Sequence, residues 1–380
     1  MTNADGERPA ASPRVWLWVA GGKALFLSLL ALALWLAPEM NQGQFYGNMI
    51  RWPIGGDPTY ASHWATWDAP HYFKLASEGY KAGEPQCAFY PLWPGLLAAV
   101  TKLTGMNVVL AGLLLANVIA VAAAVVFHRF AALRFGPTVA TNALILLLVF
   151  PGSLFLNFAY TEALFLLLLM GLVLGLEERR IWLVALCAGL LPLCRASGQF
   201  VLLPLAFMAW RRRDRASVTA VVSLVAGVVA YYGMMWALTG NAFEGVQAQK
   251  HWSQNAGLSG KLWLRPFESL QALPAVTGFH NYKGSFLDRF WFVVVSLLLW
   301  PVWKRDREAF WWVVALAILP GLFNSFGSLT RYGAVAWPLF LFGGVWLAKE
   351  RSWKGEALLF GCLALHLWLT WRHVNFQWAG

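Results

Sequence analysis

The sequence predicts an all-α protein that crosses a membrane many times. Of its 380 residues, 59% are hydrophobic and 12% are charged, whereas about 25% of the residues in an ordinary soluble domain are charged. So few charged side chains cannot cover a soluble globule of this length, which excludes an ordinary cytosolic enzyme. The apolar residues lie in long runs that short basic clusters interrupt, an arrangement typical of polytopic membrane proteins.

Charge and aromatic content fit the same class. The formal net charge of +11 predicts basic loops that anchor the cytoplasmic face rather than a nucleic-acid partner. The 23 tryptophans suit the headgroup level of a bilayer, with membrane lipids as neighbours. Three of the four cysteines lie in apolar runs and only Cys87 lies in a polar loop, so no disulfide framework is predicted.

About eleven apolar spans follow one another along the chain. Residues 1–14 form a short polar tail, and we interpret residues 15–380 as one transmembrane domain. The run 15–37 can cross about 30 Å of hydrocarbon and lacks a small-residue cleavage site, so it is predicted to be an uncleaved signal anchor. The other spans lie near residues 107–127, 138–156, 160–176, 181–194, 197–210, 217–238, 290–303, 309–323, 332–348 and 355–371.

Residues 88–104 decide the topology. They are apolar but short, and Pro91 and Pro94 interrupt their first turns. If this segment does not cross and the N-terminus is cytoplasmic, all the basic loops lie in the cytoplasm, as the positive-inside tendency requires. These loops lie at residues 128–135, 177–180, 211–215, 304–308 and 349–354. We therefore predict that residues 88–104 form a re-entrant or interfacial segment.

This topology leaves two long polar segments on the extracytoplasmic face, at about 38–106 and 239–289. No period of 20–50 residues repeats, and the two halves of the chain are not similar. Both features disfavour a transporter built from inverted repeats. Because the unusual polar residues lie on one face, we expect the functional site there.

Residues 64–80 are the most informative stretch, and Asp68 is its central residue. One interpretation makes Asp68 the N-cap of a short amphipathic interfacial helix. The other makes it a base that takes a proton from an acceptor hydroxyl. The two conflict in part, because backbone N–H bonds lower the pKa of a carboxylate. His71 would lie near the same face, and Trp67 and Tyr72 could stack on a sugar.

Three charged residues lie at the edges of later spans: Glu162, Arg195 and Arg331. A charge at the edge of the hydrocarbon is costly unless it is paired. Glu162 could complement the dipole of the helix that it opens. It could also pair with Arg195, or both could flank an anionic ligand. Arg331, followed by Tyr332, opposes the dipole of its helix and is the best candidate to bind a phosphate.

The second outer segment contains a polar and cationic cluster at Gln249, Lys250 and His251. It is either a solvated loop beside an interfacial tryptophan or a further set of substrate ligands. The sequence has no P-loop, dinucleotide-binding glycine pattern, HExxH, CxxC or Asn-x-Ser/Thr motif. Nucleotide sugars are disfavoured on the extracytoplasmic face, where nucleotides are scarce, so a lipid-borne donor fits better.

These motifs, in this order, resemble the PIG-V-like mannosyltransferases. The resemblance is carried by Trp67–Ala69 with Tyr72, Gly79–Tyr80, Phe89–Pro94, Ala159–Glu162, Arg195–Gly198, and Arg331–Tyr332 with Pro338. It implies a GT-C-type glycosyltransferase that uses a polyprenyl- or dolichyl-phosphate mannose, with the carboxylate of the first outer loop supplied by Asp68. The prolines and aromatic residues of Phe89–Pro94 at a membrane boundary form either a bent, packed connection or a re-entrant wall that holds Asp68 over the site.

The sequence departs from the family pattern at two places. Ala69 follows Asp68, so neither an adjacent acidic pair nor an Asp-x-Asp metal motif is present, and no cofactor or metal is predicted. The arginine turn reads Arg195-Ala196-Ser197-Gly198 where an Arg-Ser-Asn-Gly-like run is expected. The short, sequon-free chain predicts a bacterial inner-membrane protein.

The resulting hypothesis is an inverting mannosyltransferase with a polyprenyl-phosphate donor and a lipid-linked glycan or protein acceptor. Asp68 is the predicted base. The residues expected at the donor phosphate or lipid are Arg331, Arg195, Lys250 and Tyr332. Those expected to position substrate are Trp67, His71, Tyr72, Glu162, Gln249 and His251. The alternatives are a GT-C enzyme that transfers another lipid-phosphate sugar, such as arabinose or glucose, and, from another class, a secondary transporter or lipid flippase.

Overall fold

The computed structural model describes residues 14–37, 51–251, 265–271, 273, 278–280, 285–323, 326–349 and 352–380. Within these residues the regular elements are helical, apart from two isolated β-bridges. The α-helices are α1 (Val15–Leu36), α2 (Ala69–Glu78), α3 (Leu92–Thr104), α4 (Val108–Phe135), α5 (Pro137–Val149), α6 (Glu162–Glu178), α7 (Ile181–Cys194), α8 (Ser197–Phe200), α9 (Leu202–Arg212), α10 (Arg215–Thr239), α11 (Glu244–Gln247), α12 (Arg265–Gln271), α13 (Phe286–Arg305), α14 (Arg307–Val313), α15 (Leu319–Phe323), α16 (Leu329–Gly333), α17 (Trp337–Lys349) and α18 (Trp353–Val374).

The chain is an all-α membrane protein, as its composition predicts. Five helices, α1, α4, α10, α13 and α18, are long and apolar enough to cross a bilayer. The helices α5 and α7 are apolar but shorter. Helices occupy every predicted span, but this criterion of length and composition supports five crossings, not the eleven expected.

The predicted span 138–156 is interrupted. Helix α5 ends at Val149, and a 3₁₀ segment, Pro151–Leu156, follows it. A Cβ added to Gly152 would lie 2.0 Å from the Thr330 carbonyl oxygen, so the backbone of this segment passes directly against α16. The break therefore brings the loop before α6 to the residue that precedes Arg331.

The predicted re-entrant or interfacial segment contains α3, which has 13 residues. At 1.5 Å per residue α3 is about 20 Å long, which is too short to cross about 30 Å of hydrocarbon. Pro91 and Pro94 are tolerated because they lie at the N-cap and in the first turn, where no intrahelical N–H bond is lost. The helix packs on α2, α4 and α7.

Two helix pairs pack with their backbones in close approach. A Cβ on Gly227 of α10 would lie 2.1 Å from the Gly189 carbonyl oxygen of α7. A Cβ on Gly344 of α17 would lie 2.7 Å from the Val139 carbonyl oxygen of α5. Such small-residue contacts are the usual way in which membrane helices associate closely, and they fix the bundle around α4 and α6.

Ion pairs join the helices at the end of the bundle where α6 finishes. Glu178 pairs with Arg129 at 2.5 Å and with Arg180 at 2.7 Å. Arg134 pairs with Asp306 at 3.2 Å, and a further pair joins Arg212 and Glu308. The basic loops of the sequence thus meet at one end, and Glu162 starts the other end of α6, about 24 Å away.

Candidate active site

Asp68 occupies the N-cap position of α2, but its side chain makes no capping hydrogen bond. The capping interpretation is therefore wrong, and the backbone explains why. Asp68 has helical dihedral angles, φ −80° and ψ −25°, whereas a capping residue needs an extended backbone to reach the first free N–H groups. Pro70 also removes one of those N–H donors.

The carboxylate of Asp68 instead meets an arginine from a distant helix. Its Oδ2 accepts a hydrogen bond of 2.5 Å from Arg331 Nη1. Among the described residues no hydrogen bond reaches Oδ1, and the side chain is 24% exposed. One oxygen is held by the protein, and the other is available to a substrate.

The backbone on either side of Trp67 is pinned to the loop before α6. Trp67 has a positive φ of 57°, which is uncommon for a residue with a side chain and marks local strain. The Tyr160 hydroxyl donates to the Thr66 carbonyl at 2.8 Å and accepts from the Asp68 N–H at 3.3 Å. The Trp67 indole donates to the Gln377 carbonyl at 3.2 Å. These bonds fix the turn that presents Asp68.

Four charged side chains form a continuous chain of alternating sign, Asp68–Arg331–Glu162–Arg195. Arg331 Nε donates to Glu162 Oε1, and Arg195 Nη1 forms an ion pair with the same oxygen. Glu162 has no exposed surface and is the first residue of α6. Together these four side chains carry no net charge, which makes their burial tolerable in an apolar bundle. We call these four side chains the ion chain.

Arg331 is held by two carboxylates and two aromatic rings. Besides its two carboxylate partners, its guanidinium lies over the Phe155 ring at 4.8 Å and the Tyr160 ring at 4.7 Å. Cation–π contacts of this kind hold a planar guanidinium in one orientation. Arg331 is thus the structural link of the ion chain, since it joins the two acids.

Arg195 is held less completely than Arg331. It lies at the C-cap of α7 in an extended conformation and faces the Tyr332 ring at 5.3 Å. Its Nη1 is within ion-pair distance of Glu162 but does not meet hydrogen-bond geometry. Within the described residues no hydrogen bond engages Arg195 Nε or Nη2, and these donors are the ones left for an anionic ligand.

Tyr72 and His71 of α2, both predicted to position the substrate, lie beside the ion chain. Burial, reinforced by the charge of Asp68, raises the pKa of the Tyr72 phenol, so Tyr72 stays protonated. His71 stacks on Phe89 at 4.9 Å and shares a 3.2 Å hydrogen bond with Gln86. Burial lowers the pKa of His71 to about 4, so its imidazole is neutral near pH 7.

The second outer segment does not join the ion chain. Gln249, Lys250 and His251 lie in a 3₁₀ turn that packs on the turn Pro85–Ala88. Gln249 donates to the Ala88 carbonyl at 3.2 Å, while Lys250 and His251 are exposed. No hydrogen bond or ion pair within the described residues connects these three side chains to the ion chain. The position of these three residues is set by the contact between their turn and the turn Pro85–Ala88.

Sequence reasoning missed Asp288, which is fully buried in the first turn of α13. Its Oδ1 accepts two hydrogen bonds of 2.8 Å, one from the Thr330 N–H and one from the Thr330 hydroxyl. Asp288 thereby fixes the residue before Arg331. An acid inside a long apolar run was the available signal, but the predicted span began at 290 and left Asp288 in a loop.

Sequence reasoning also missed the contacts that the end of α18 makes with the turn before Asp68. His63 shares a 2.7 Å hydrogen bond with the Val374 carbonyl, and Thr66 shares one of 3.1 Å with His373. Both contacts hold the turn that leads to Asp68. Aromatic and histidine residues near position 375 gave no pattern that could connect them to a turn about 310 residues earlier.

Within the described part of the chain, no three His, Cys, Asp or Glu side chains are grouped so as to hold a metal ion. Residues 59–223 match the family model described as mannosyltransferase (PIG-V). This range includes Asp68, Glu162 and Arg195 and ends before Arg331. A separate comparison with curated proteins found no match to the chain.

Proposed function

We propose that the chain is a PIG-V-like mannosyltransferase, a membrane glycosyltransferase, and that its donor is a polyprenyl-phosphate mannose; the match of residues 59–223 to the family model supports this proposal. The acceptor is a hydroxyl of a lipid-linked glycan or a protein. The reaction takes place at the membrane boundary where the ion chain lies.

One observation carries this proposal. Four charged residues that are far apart in the sequence meet in one buried chain, and its two ends carry the unused groups. Among the described residues no hydrogen bond reaches Asp68 Oδ1 at one end or Arg195 Nε and Nη2 at the other. A glycosyl transfer needs this combination, a proton acceptor and a cation for the departing phosphate.

In the proposed step the acceptor hydroxyl attacks the anomeric carbon of mannose while Asp68 Oδ1 takes its proton. The bond from this carbon to the phosphate oxygen breaks, and its electron pair goes to the phosphate. Because attack and departure occur on opposite faces, the configuration at the carbon inverts. Trp67 and Tyr72, which flank Asp68, contact the sugar.

The charge of the phosphate changes during this step. The donor is a phosphodiester with one negative charge, and the product is a monoester that can carry two. The N–H donors of Arg195 stabilise this developing charge. We assign Arg195 this role ahead of Arg331, whose donors bind two carboxylates, and ahead of Lys250, which is exposed and outside the ion chain.

The proposed orientation places the ion chain on the extracytoplasmic side and the N-terminus in the cytoplasm. The basic loops meet at the end of the bundle opposite Glu162. The positive-inside tendency assigns that end to the cytoplasm. A bacterial inner membrane fits this arrangement.

The proposal is tested with Asp68→Asn. The purified chain in lipid nanodiscs is given polyprenyl-phosphate [³H]mannose and a membrane extract of its own source as acceptor. Loss of a general base lowers the rate about 10²- to 10⁴-fold, so Asp68→Asn should transfer at least about 100-fold more slowly. Radiolabel in the acceptor fraction measures the rate.

Asp57→Asn is the matched control, because Asp57 is exposed, lies in the same outer segment and makes no hydrogen bond among the described residues. It should transfer at the rate of the parent protein. Equal rates for Asp68→Asn and Asp57→Asn would remove Asp68 from the chemical step. A panel with arabinose or glucose on the same lipid phosphate tests the assignment of the donor sugar.

A further inference from the structure

A cavity of about 210 Å³ lies behind the ion chain, between α1, the 3₁₀ segment Pro151–Leu156 and α18. Since one water occupies about 30 Å³ of liquid, the cavity has room for about seven waters or a ligand head of similar size. Its polar lining residues are Lys23, Ser153, Asn157 and His366, and its apolar ones include Trp18, Phe26, Leu148 and Leu363.

Lys23 brings an amino group into this cavity, and an anionic ligand beside it would keep this group protonated. Its Nζ donates to the Leu156 carbonyl at 3.1 Å and to Asn157 Oδ1 at 2.5 Å. Both acceptors are neutral, and no carboxylate within the described structure pairs with Lys23. An ammonium has three N–H donors, so one is left for a ligand. A cation in an apolar span without a counter-charge favours an anion there.

His366 supplies a different group. Its Nδ1 lies 3.0 Å from the Phe150 carbonyl; because a carbonyl only accepts, Nδ1 carries the proton. The other ring nitrogen, Nε2, is then an acceptor, and no hydrogen bond within the described residues reaches it. His366 itself is 5% exposed. The cavity therefore offers an ammonium donor and an imidazole acceptor within a mostly apolar lining.

We infer that this cavity binds a lipid phosphate monoester, the class of product that the proposed transfer releases. The inference rests on the proposed function for the identity of the lipid. A monoester with one negative charge accepts from Lys23 through an anionic oxygen and donates its P–OH to His366. A phospholipid diester has no such P–OH, and the apolar lining receives the first part of the prenyl chain.

The position of the cavity fits this assignment. Leu156 and Asn157, which bind Lys23, lie between Phe155 and Tyr160 in the sequence. The rings of Phe155 and Tyr160 both pack against Arg331. One layer of backbone therefore separates the cavity from the ion chain. His366 lies eight residues before Val374, which contacts the Asp68 turn through His63, so the phosphate would lie about 12 Å deeper along α18.

The test uses the full chain in nanodiscs, with farnesyl phosphate as the probe and the melting temperature as readout. A ligand that binds only the folded state raises this temperature as its concentration increases. We expect farnesyl phosphate to stabilise the protein at concentrations at least about tenfold below those at which farnesol, phosphatidylglycerol or inorganic phosphate act, since each lacks one of the required groups.

Two neighbouring glycines provide a matched pair of variants. Gly22 lines the cavity and Gly21 does not, and a Cβ at either meets nothing within 4 Å. Gly22→Leu should weaken the effect of farnesyl phosphate at least about tenfold, whereas Gly21→Leu should leave it unchanged. Lys23→Met should act like Gly22→Leu, and if it does not fold, the glycine pair decides alone.

Farnesyl phosphate could also reach Arg195, so the series is repeated in an Arg195→Gln background. Stabilisation that remains there and disappears with Gly22→Leu supports the cavity site. Stabilisation that disappears with Arg195→Gln but survives Gly22→Leu overturns it, as does equal stabilisation by phosphatidylglycerol or inorganic phosphate. Retained binding without mannosyl transfer from the lipid donor would refute the donor proposal and leave the cavity assignment standing.

Discussion

Arg331 illustrates how a single side chain assembles the site. Its Nη1 and Nε are directed at two carboxylates from different helices, and two rings hold its plane. Only a guanidinium has donors at this spacing, since the ammonium of lysine is a point charge on a flexible stem. Arg331 therefore sets the orientation of Asp68, even though we assign the phosphate to Arg195.

Arg331→Lys should lower transfer at least about tenfold and reduce the melting temperature, because one ammonium cannot bridge both acids. Breaking a buried pair of charges typically costs about 3–5 kcal/mol. Arg215→Lys is the control, since Arg215 is exposed and forms no ion pair in the described part of the chain. A parent-like rate and melting temperature for Arg331→Lys would contradict the bridging role.

His71 gives a prediction about pH. Burial lowers the pKa of His71 to about 4 from an ordinary value of 6.5. Between these values the unfolded chain binds the proton and the folded chain does not, so this contribution to stability is lost as the pH falls from about 6.5 to about 4. As the pH falls over that interval, the melting temperature of His71→Gln should therefore decrease less than that of the parent protein.

The melting temperature at pH 7 and at pH 4.5 measures this difference. The comparison variant is His251→Gln, because His251 is exposed, and its acid sensitivity should equal that of the parent protein. An identical acid sensitivity for His71→Gln would show that His71 is not the group that titrates on unfolding.

At the scale of the elements, short helices around the site are positioned by links to longer ones. Helix α16, which carries Arg331, has five residues, and a helix this short has little stability of its own. Asp288 of α13 holds it through two hydrogen bonds to Thr330, and Gly152 lets the 3₁₀ segment pass against it. The geometry of the ion chain depends on these contacts, because they position Arg331.

Thr330→Val removes the hydroxyl bond to Asp288 while it keeps the shape of the side chain and the backbone bond. We expect kcat to fall about three- to tenfold with little change in KM for the donor, because one hydrogen bond to a charged group contributes about 1.5–3 kcal/mol, of which the backbone bond retains part. Thr330→Ser keeps the hydroxyl and should restore kcat. Equal kcat values for the two variants would show that the hydroxyl does not position Arg331.

At the scale of the whole molecule, charge is distributed unequally along the bundle. The arginine-rich loops and their acids meet where α4 and α6 end, whereas the ion chain lies where α6 begins. This asymmetry is the physical basis for the proposed orientation, since basic loops are retained in the cytoplasm during insertion.

Cysteine labelling in intact cells tests this orientation. Asp57→Cys, in the outer segment, should react with a membrane-impermeant maleimide, and Lys354→Cys, in the first turn of α18, should react only after the cells are opened. Both positions are exposed, and the parent chain with its four cysteines gives the background. The reverse pattern would place the ion chain in the cytoplasm and refute the proposed face.

Particular residues show how far sequence reasoning reached. Glu162, Arg195 and Arg331 were found because a charge at the edge of an apolar span needs a partner, and Asp68 was found as the carboxylate of the outer stretch 64–80 that could serve as a base. Their order in the ion chain could not be found, because spacing along the chain gives no distance between helices. Asp288 escaped because it was assigned to a loop, and the break in the span 138–156 escaped because its cause, contact with α16, lies about 180 residues away.

The sequence by itself determined that this protein is helical, lies in a membrane and carries motifs that resemble those of PIG-V mannosyltransferases, because composition, hydrophobic run length and motif order are properties of the chain. The tertiary structure alone decided that Asp68 binds Arg331 rather than its own helix, and that Glu162 is shared by two arginines. The reason is that ion pairing inside an apolar bundle depends on distances of a few ångströms between remote segments, and packing sets those distances.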